Sequence, residues 1–151
     1  MSAKNTYRLW SDIRSAWCNY EVVGESHHIE NIRRLYPRSW NRNGEELHCD
    51  VELVPEPDNP YDEWAISVRI DGLRVGYLSR EDAPTWAAVI RRITASGLTP
   101  VTDGRIYLYE SPDWDDIDRQ GNPQLETRAR VSIKLGDPEL AVPLNDPPAV
   151  P

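Results

Sequence analysis

The strongest constraint on the fold is a run of strict alternation over residues 45–54 that ends in a proline-rich segment. Apolar side chains occupy every second position: Leu47, Cys49, Val51 and Leu53. A β-strand directs alternate side chains to one face, so this pattern predicts a half-buried strand. Residues 55–60 contain three prolines, which lack the N–H that a central strand donates. The strand is therefore expected to stop at a stiff loop.

Other segments predict further short strands. Residues 64–70 alternate before Asp71-Gly72, a dipeptide that tolerates positive φ and favours a hairpin, and residues 73–77 supply the partner strand. More strands are expected at three places: residues 20–24, 104–110 and 127–135. A polar, acidic loop is expected between the last two, at residues 111–124.

One long helix and one helical turn complete the predicted elements. Ser79 is expected to be the N-cap of the long helix, with Glu81 and Asp82 in its first turn, where the helix dipole favours negative charge. Its apolar residues repeat at helical spacing: Trp86, Val89, Ile90 and Ile93. Gly97 predicts its end, and residues 29–36 predict the helical turn. Together these elements predict a mainly β fold with one or two helices, a small and partly open β-barrel of five to six strands.

The length of 151 residues fits one domain with a flanking segment on each side. Residues 1–19 are expected to form an N-terminal extension, in which three apolar residues fall at helical spacing. Residues 20–135 are expected to form the barrel. Residues 136–151 are expected to form a proline-rich C-terminal tail that is extended or partly disordered.

Charge and composition narrow the function classes. The net charge of −8 argues against broad coating of nucleic acid, which requires many Lys and Arg side chains at the phosphates. No segment approaches the ~18 apolar residues of a membrane span, and residues 1–6 lack the apolar run of a signal peptide, so we expect no membrane partner and a cytoplasmic location. The two cysteines are expected to be reduced. No ligand spacing indicates a metal or cofactor, and the aspartates at 113–118 lack the glycine and distal glutamate of a calcium loop.

The loop between the strands at 45–54 and 64–70 is a candidate binding site. Its prolines restrict the backbone and so fix the directions of neighbouring side chains. Asn59, Tyr61 and Asp62 offer an amide, a flat π surface and a carboxylate, which are the groups that a small-ligand pocket needs. The alternative is a simple tight turn in which Asp62 caps local N–H groups.

Three blocks of sequence, in order, resemble the HIRAN domain: VVGES at 22–26, EPDNPYDEWAISV at 56–68 and VGYLSREDA at 75–83. The resemblance covers residues 20 to about 110. In its domain organisation the chain is similar to the stand-alone bacterial or phage members of the family. The resemblance implies an OB-like β-barrel that captures the 3′-hydroxyl end of single-stranded DNA. It implies these site residues: Asn59, Tyr61 and Asp62 in the pocket for the strand end, Tyr77 and Arg80 at the terminal phosphates, and His27 at a base-stacking position.

The chain departs from the family at positions that contribute charge and stacking. Ser26 and His27 stand where a fork-remodelling member of the family carries an arginine and a tyrosine, and Tyr77 stands where it carries a histidine. The motif that forms the pocket is therefore better retained than the contacts that grip phosphate.

The leading expectation is a non-catalytic module for the 3′-hydroxyl end of single-stranded DNA, acting in DNA repair or replication-fork processing. A separate helicase or repair protein is a further partner that the resemblance suggests. The alternative is a protein-interaction or adaptor module on the same fold, favoured by acidic faces, the proline-rich tail and the expected exposure of Trp10, Trp40 and Trp114. A nuclease or other hydrolase is a third reading, but it lacks a clustered carboxylate–metal signature.

Overall fold

The computed structural model describes residues 5–11 and 17–141. These ranges form seven strands and two α-helices, in the order β1 (Thr6–Arg8), β2 (Tyr20–Glu21), α1 (Ile29–Arg34), β3 (Glu45–Pro55), β4 (Ile66–Ile70), β5 (Leu73–Tyr77), α2 (Ala83–Ala95), β6 (Thr99–Ile117) and β7 (Pro123–Ile133). A 3₁₀ turn, Glu25–His28, leads into α1. The prediction of a mainly β fold with one or two helices is confirmed.

Six of the strands form one curled sheet in the order β2-β7-β6-β3-β4-β5, and all neighbours in it are antiparallel. β1 pairs in parallel with the start of β6. An isolated bridge joins Val23 to Tyr77 of β5: the Val23 N–H donates to the Tyr77 carbonyl at 2.9 Å, and the Tyr77 N–H donates back at 2.8 Å. Among the described residues the two ends of the sheet meet at this one point, which confirms the predicted small, partly open barrel.

Local sequence explains the strands nearest the candidate site. On β3, Val51 and Leu53 are fully buried while the alternate positions face outward, as the alternation predicts. Asp71 and Gly72 both have positive φ, 50° and 80°, and they connect β4 to β5 in the expected hairpin. The β3 strand ends at Pro55, where the expected loop begins.

The acidic segment after residue 110 is a strand, so the predicted loop at 111–124 is wrong. β6 continues to Ile117 and pairs with the start of β7 at Asp113 and again at Ile117, with an irregularity in the register between them. Asp118 closes the turn between the two strands, because its Oδ1 accepts the N–H groups of Gln120 and Asn122 at 2.9 Å each. Aspartate is a poor strand former by itself, and pairing with β7 overrides that local preference.

The helix α2 begins later than predicted, at Ala83, with Asp82 and not Ser79 in the N-cap position. Ser79 begins a turn before the helix, and its Oγ donates to Asp82 Oδ2 at 2.7 Å. The Tyr20 hydroxyl donates to the same oxygen at 2.8 Å. Glu81 and Asp82 therefore precede the helix. Tyr20 of β2 thus helps to fix where the helix begins. The residue spacing within the helical segment does not reveal this contact.

One apolar core joins both helices to the sheet. Leu9 and Ala141 belong to it, so residues on both sides of the range 20–135 pack on the barrel. Trp40 is only 6% exposed, and its expected exposure is wrong, whereas Trp10 and Trp114 are 50% and 64% exposed as expected. The N-terminal segment 1–19, in which helical spacing was expected, contains strand β1. Its residues 12–16 lie outside the described residues, and so does the tail from residue 142.

Cys18 and Cys49 are half-buried and are not joined in a disulfide. Burial raises the pKa of Cys49 to about 11, so this side chain is a neutral thiol at pH 7. In the two described ranges, no helix combines the length and the apolar composition that crossing a membrane requires.

Candidate functional site

The loop between β3 and β4 is held by its own backbone. The Glu56 N–H donates to the Ala65 carbonyl at 2.8 Å, which closes the base of the loop. The Asn59 N–H donates to the Glu56 carbonyl at 3.0 Å, and the Ala65 N–H donates to the Asp62 carbonyl at 3.1 Å. These bonds divide the loop into two turns, and the segment with Tyr61 projects between them.

Two polar side chains of the loop fix its shape. Asn59 Oδ1 accepts the N–H groups of Tyr61 and Asp62, at 2.9 and 3.1 Å. Asp62 Oδ1 accepts the Trp64 N–H at 2.9 Å. The expected local capping by Asp62 is therefore present, and it uses one carboxylate oxygen. Because the side-chain oxygen of Asn59 already accepts two backbone N–H groups of the loop, the role of this residue is to hold the loop conformation.

Glu56 connects the loop to the β4–β5 hairpin. Its Oε1 accepts hydrogen bonds from the Tyr77 hydroxyl at 2.9 Å and from Asn59 Nδ2 at 3.1 Å. Its Oε2 lies 3.0 Å from an Arg69 nitrogen and 2.8 Å from an Arg74 nitrogen. Burial opposes ionisation of Glu56, but the hydrogen bonds from Asn59 and Tyr77 and the charge of Arg74 outweigh it and lower the pKa. Glu56 is therefore ionised and links four side chains.

Five of the six residues expected at the site line one cleft of about 260 Å³: Asn59, Tyr61, Asp62, Tyr77 and Arg80. Val23, Ala65 and Leu78 complete its lining. The Tyr61 side chain stands at the mouth, 84% exposed, while the Asp62 side chain is 17% exposed. The cleft thus combines an open aromatic surface with a sheltered carboxylate.

Arg80 supplies an exposed positive charge beside that carboxylate. One of its terminal nitrogens donates to the Tyr61 carbonyl at 3.1 Å, and its Nε lies 4.0 Å from Asp62 Oδ2. The Arg80 side chain is 74% exposed, so this is a solvated and weak ion pair. Its remaining N–H groups face solvent at the rim of the cleft, in the turn before α2.

His27 is the one expected site residue that does not line the cleft. It is exposed on the 3₁₀ turn, while the neighbouring His28 lies against Tyr77 with ring centroids 6.1 Å apart. Burial and the nearby Arg74 lower the pKa of His28, so its ring is neutral at pH 7. Of the two adjacent histidines on this turn, it is therefore His28 whose ring lies near Tyr77.

Sequence reasoning missed Glu56 and its two arginines, although a signal was present. A two-residue turn at Asp71-Gly72 sets Arg69 directly opposite Arg74 in the hairpin, and that pairing is observed. Like charges in such a pair destabilise a sheet, which implies a nearby acidic partner. Among the described residues, no group of three or more His, Cys, Asp or Glu side chains is arranged to hold a metal ion.

Comparison with known proteins gives no assignment: no family model, no curated protein and no solved structure matches this chain. The resemblance to the HIRAN domain therefore remains an expectation drawn from three blocks of sequence.

Proposed function

We propose that this chain is a non-catalytic module that binds the 3′-hydroxyl end of single-stranded DNA in the cleft beside the Glu56–Ala65 loop. The observation that carries the proposal is the pairing of an exposed tyrosine ring with a sheltered carboxylate in one small cleft. The resemblance to HIRAN domains supports it independently, and it suggests a role in DNA repair or replication-fork processing beside a separate helicase or repair protein.

Three side chains of the cleft have distinct roles in this proposal. The Tyr61 ring stacks on the terminal base, an interaction worth ~1–3 kcal/mol that accepts any base. Asp62 Oδ2 accepts a hydrogen bond from the terminal 3′-hydroxyl, because Oδ1 is already used by the Trp64 N–H. Arg80 turns from Asp62 to the last phosphate, which its exposure allows.

Discrimination between strand ends follows from the charge on Asp62. A 3′-phosphate would set its negative charge against this carboxylate, so a blocked end is rejected. In this proposal only the terminal nucleotide enters the cleft of about 260 Å³. Because few phosphates are contacted and the net charge is −8, the affinity should depend only weakly on salt.

Fluorescence anisotropy at low salt tests the proposal with two oligonucleotides that differ only in a 3′-hydroxyl or a 3′-phosphate. The 3′-hydroxyl strand should bind more tightly, and Tyr61→Ala should weaken it by about five- to hundredfold. Trp114→Ala, which removes an exposed aromatic outside the cleft, should leave the affinity unchanged.

The sharpest variant is Asp62→Asn, which keeps the oxygen that caps Trp64 but removes the charge. It should bring the two affinities together, mainly by admitting the 3′-phosphate strand. Asp58→Asn is the matched control, since Asp58 is an exposed residue of the same loop outside the cleft lining. Equal affinity of the unmodified protein for both strands would refute the proposal, as would an equal effect of the two Asn variants.

A further inference from the structure

One wall of the cleft adjoins the outer face of β7. Val23, whose side chain is 43% exposed, lines the cleft and bridges to Tyr77 of β5. The preceding residue, Val22, points its backbone the other way, and its N–H donates to the Val131 carbonyl at 2.9 Å. This antiparallel register sets Val23 beside Arg130, one strand spacing of about 5 Å away. The wall of the cleft is therefore followed directly by β7.

The side chains that continue this wall lie in a line across the strands. We call them the outer row: Tyr77, Val23, Arg130 and Tyr107. Arg130 and Tyr107 are direct cross-strand partners on β7 and β6, and such partners project from the same face of a sheet. The neighbours of Arg130 on its strand, Ala129 and Val131, are buried, so Arg130 points away from the core and is exposed. The row thus leads from the cleft past one cation to an aromatic ring.

The charge of Arg130 is not neutralised by a neighbouring acid. Two carboxylates on the same face are already ion-paired elsewhere: Glu126 lies 3.0 Å from Arg128, and Glu46 lies 3.0 Å from Arg105. Within residues 5–11 and 17–141, no carboxylate forms an ion pair with Arg130 itself. An exposed guanidinium with its N–H groups turned to solvent is a suitable partner for a phosphate.

Tyr107 belongs to a stacked aromatic pair. Its ring centroid lies 5.4 Å from that of Tyr109, and the two ring planes are inclined by 30°. Both side chains are half-buried, so each is partly accessible to solvent, and the Tyr107 hydroxyl donates to the Asn43 carbonyl at 3.3 Å. Proteins that bind single strands without sequence preference combine cationic groups for the backbone with aromatic rings for the bases. The outer row and Tyr109 supply both.

We propose that single-stranded DNA leaves the cleft over Val23 and follows the outer row, where Arg130 binds a phosphate and the Tyr107–Tyr109 pair stacks on a base further from the 3′ end. This inference rests on the proposed function, which sets the strand end in the cleft. Three strand spacings, about 15 Å in all, separate Tyr77 from Tyr107. That length corresponds to about four nucleotides of a stacked strand, which is at the lower end of the ~4–16 nucleotides that an OB fold binds.

The length of the bound strand tests the path. Oligothymidines of two, four and eight nucleotides, all with a 3′-hydroxyl, compete with a labelled strand for the full chain. Affinity should rise from two to four nucleotides and change little beyond. The double variant Tyr107→Leu/Tyr109→Leu keeps an apolar cover on the sheet but removes the rings. It should weaken the eight-nucleotide strand by about fivefold or more and leave the dinucleotide unchanged, which also shows that the variant is folded.

Salt dependence tests the role of Arg130. For the eight-nucleotide strand, Arg130→Gln should reduce the slope of log affinity against log salt by ~0.7, the amount expected for one phosphate of a single strand. The slope for the dinucleotide should stay the same. Arg119→Gln is the matched control, because it removes the same charge from an exposed position in the β6–β7 turn. Glu21→Gln removes an exposed carboxylate two positions before Val23 and should strengthen binding of the long strand only.

The outcomes separate this inference from the proposed function. Equal affinities of all three lengths, or equal slopes for Arg130→Gln and Arg119→Gln, would overturn the path along the outer row. A preference for the 3′-hydroxyl over the 3′-phosphate strand would still stand in that case. If the effect of Arg130→Gln appears without any such preference, the strand-end function is refuted and the path from the cleft falls with it.

Discussion

Replacing Glu56 by glutamine should destabilise the protein more than any other single loss of charge in the site. Glutamine keeps an oxygen that can accept from Tyr77 and Asn59, as Glu56 Oε1 does at 2.9 and 3.1 Å. Its amide nitrogen, however, must occupy the place of Oε2, where it meets two guanidinium donors. Arg69 and Arg74 then face a donor in place of the carboxylate oxygen that lies 3.0 and 2.8 Å from them.

The magnitude follows from the burial of this group. The Glu56 side chain is 12% exposed, and breaking a buried ion pair from one side costs about 3–5 kcal/mol. The arginine side chains are 27% and 40% exposed, so water recovers part of their solvation and the lower end applies. We expect a loss of about 3 kcal/mol, which corresponds to a fall in Tm of about 6–12 °C for a chain of this length.

Urea unfolding at pH 7 measures the loss, with Glu46→Gln on the adjoining strand β3 as the control. Glu46 also faces an arginine, at 3.0 Å from Arg105, but its side chain is 43% exposed, so its variant should lose less than about 1 kcal/mol. Because the pKa of Glu56 in the folded protein lies below its ordinary value of 4.5, its contribution is present above that value and disappears as the pH falls through the folded pKa. The difference between the unmodified protein and Glu56→Gln should therefore shrink in acid. Equal stabilities of the two Gln variants at pH 7, or a difference that persists at low pH, would refute the reasoning.

Two further predictions concern packing. Gly76→Ala should lower the free energy of unfolding in urea by about 2–3 kcal/mol, because a Cβ there would overlap Val22 Cγ1 and lie 2.8 Å from the Val23 carbonyl oxygen. An unchanged urea midpoint would contradict this. Trp40→Ala should lower the free energy of unfolding by about 3–5 kcal/mol, because Trp40 is 6% exposed in the core. Trp10→Ala, at an exposed tryptophan, should lower it by less than about 1 kcal/mol. Equal thermal unfolding of the two variants would count against the packing described.

The strands that the sequence predicts correctly are those whose pattern is local. Alternation on β3 and the Asp-Gly turn after β4 need no information from elsewhere, so the barrel could be predicted. The acidic outer part of β6 lacks an apolar alternation, and only its pairing with β7 makes it a strand. The start of α2 likewise depends on Tyr20, whose hydroxyl reaches Asp82 across 62 positions of the chain.

The candidate site shows the same division. Asn59, Tyr61 and Asp62 are contiguous on one stiff loop, and the residue types alone indicate a pocket. The role of Asn59 as a loop-shaping residue and the network around Glu56 could not be read from residue types, because both depend on which backbone groups are already paired. The contact of His28 with Tyr77 depends on the left-handed Gly24, with φ 79°, which sets the phase of the turn that follows.

Tyr77 has two structural roles. It forms the bridge with Val23 that closes the barrel, here called the seam, and it also lines the cleft. The Tyr77 backbone fastens the two ends of the sheet, its ring lines the cleft, and its hydroxyl anchors the loop through Glu56. Opening of the hydrogen bonds at the seam should therefore distort the cleft, and a ligand bound in the cleft should stabilise those hydrogen bonds. Exchange of the Tyr77 amide proton with solvent should therefore slow when the cleft is occupied.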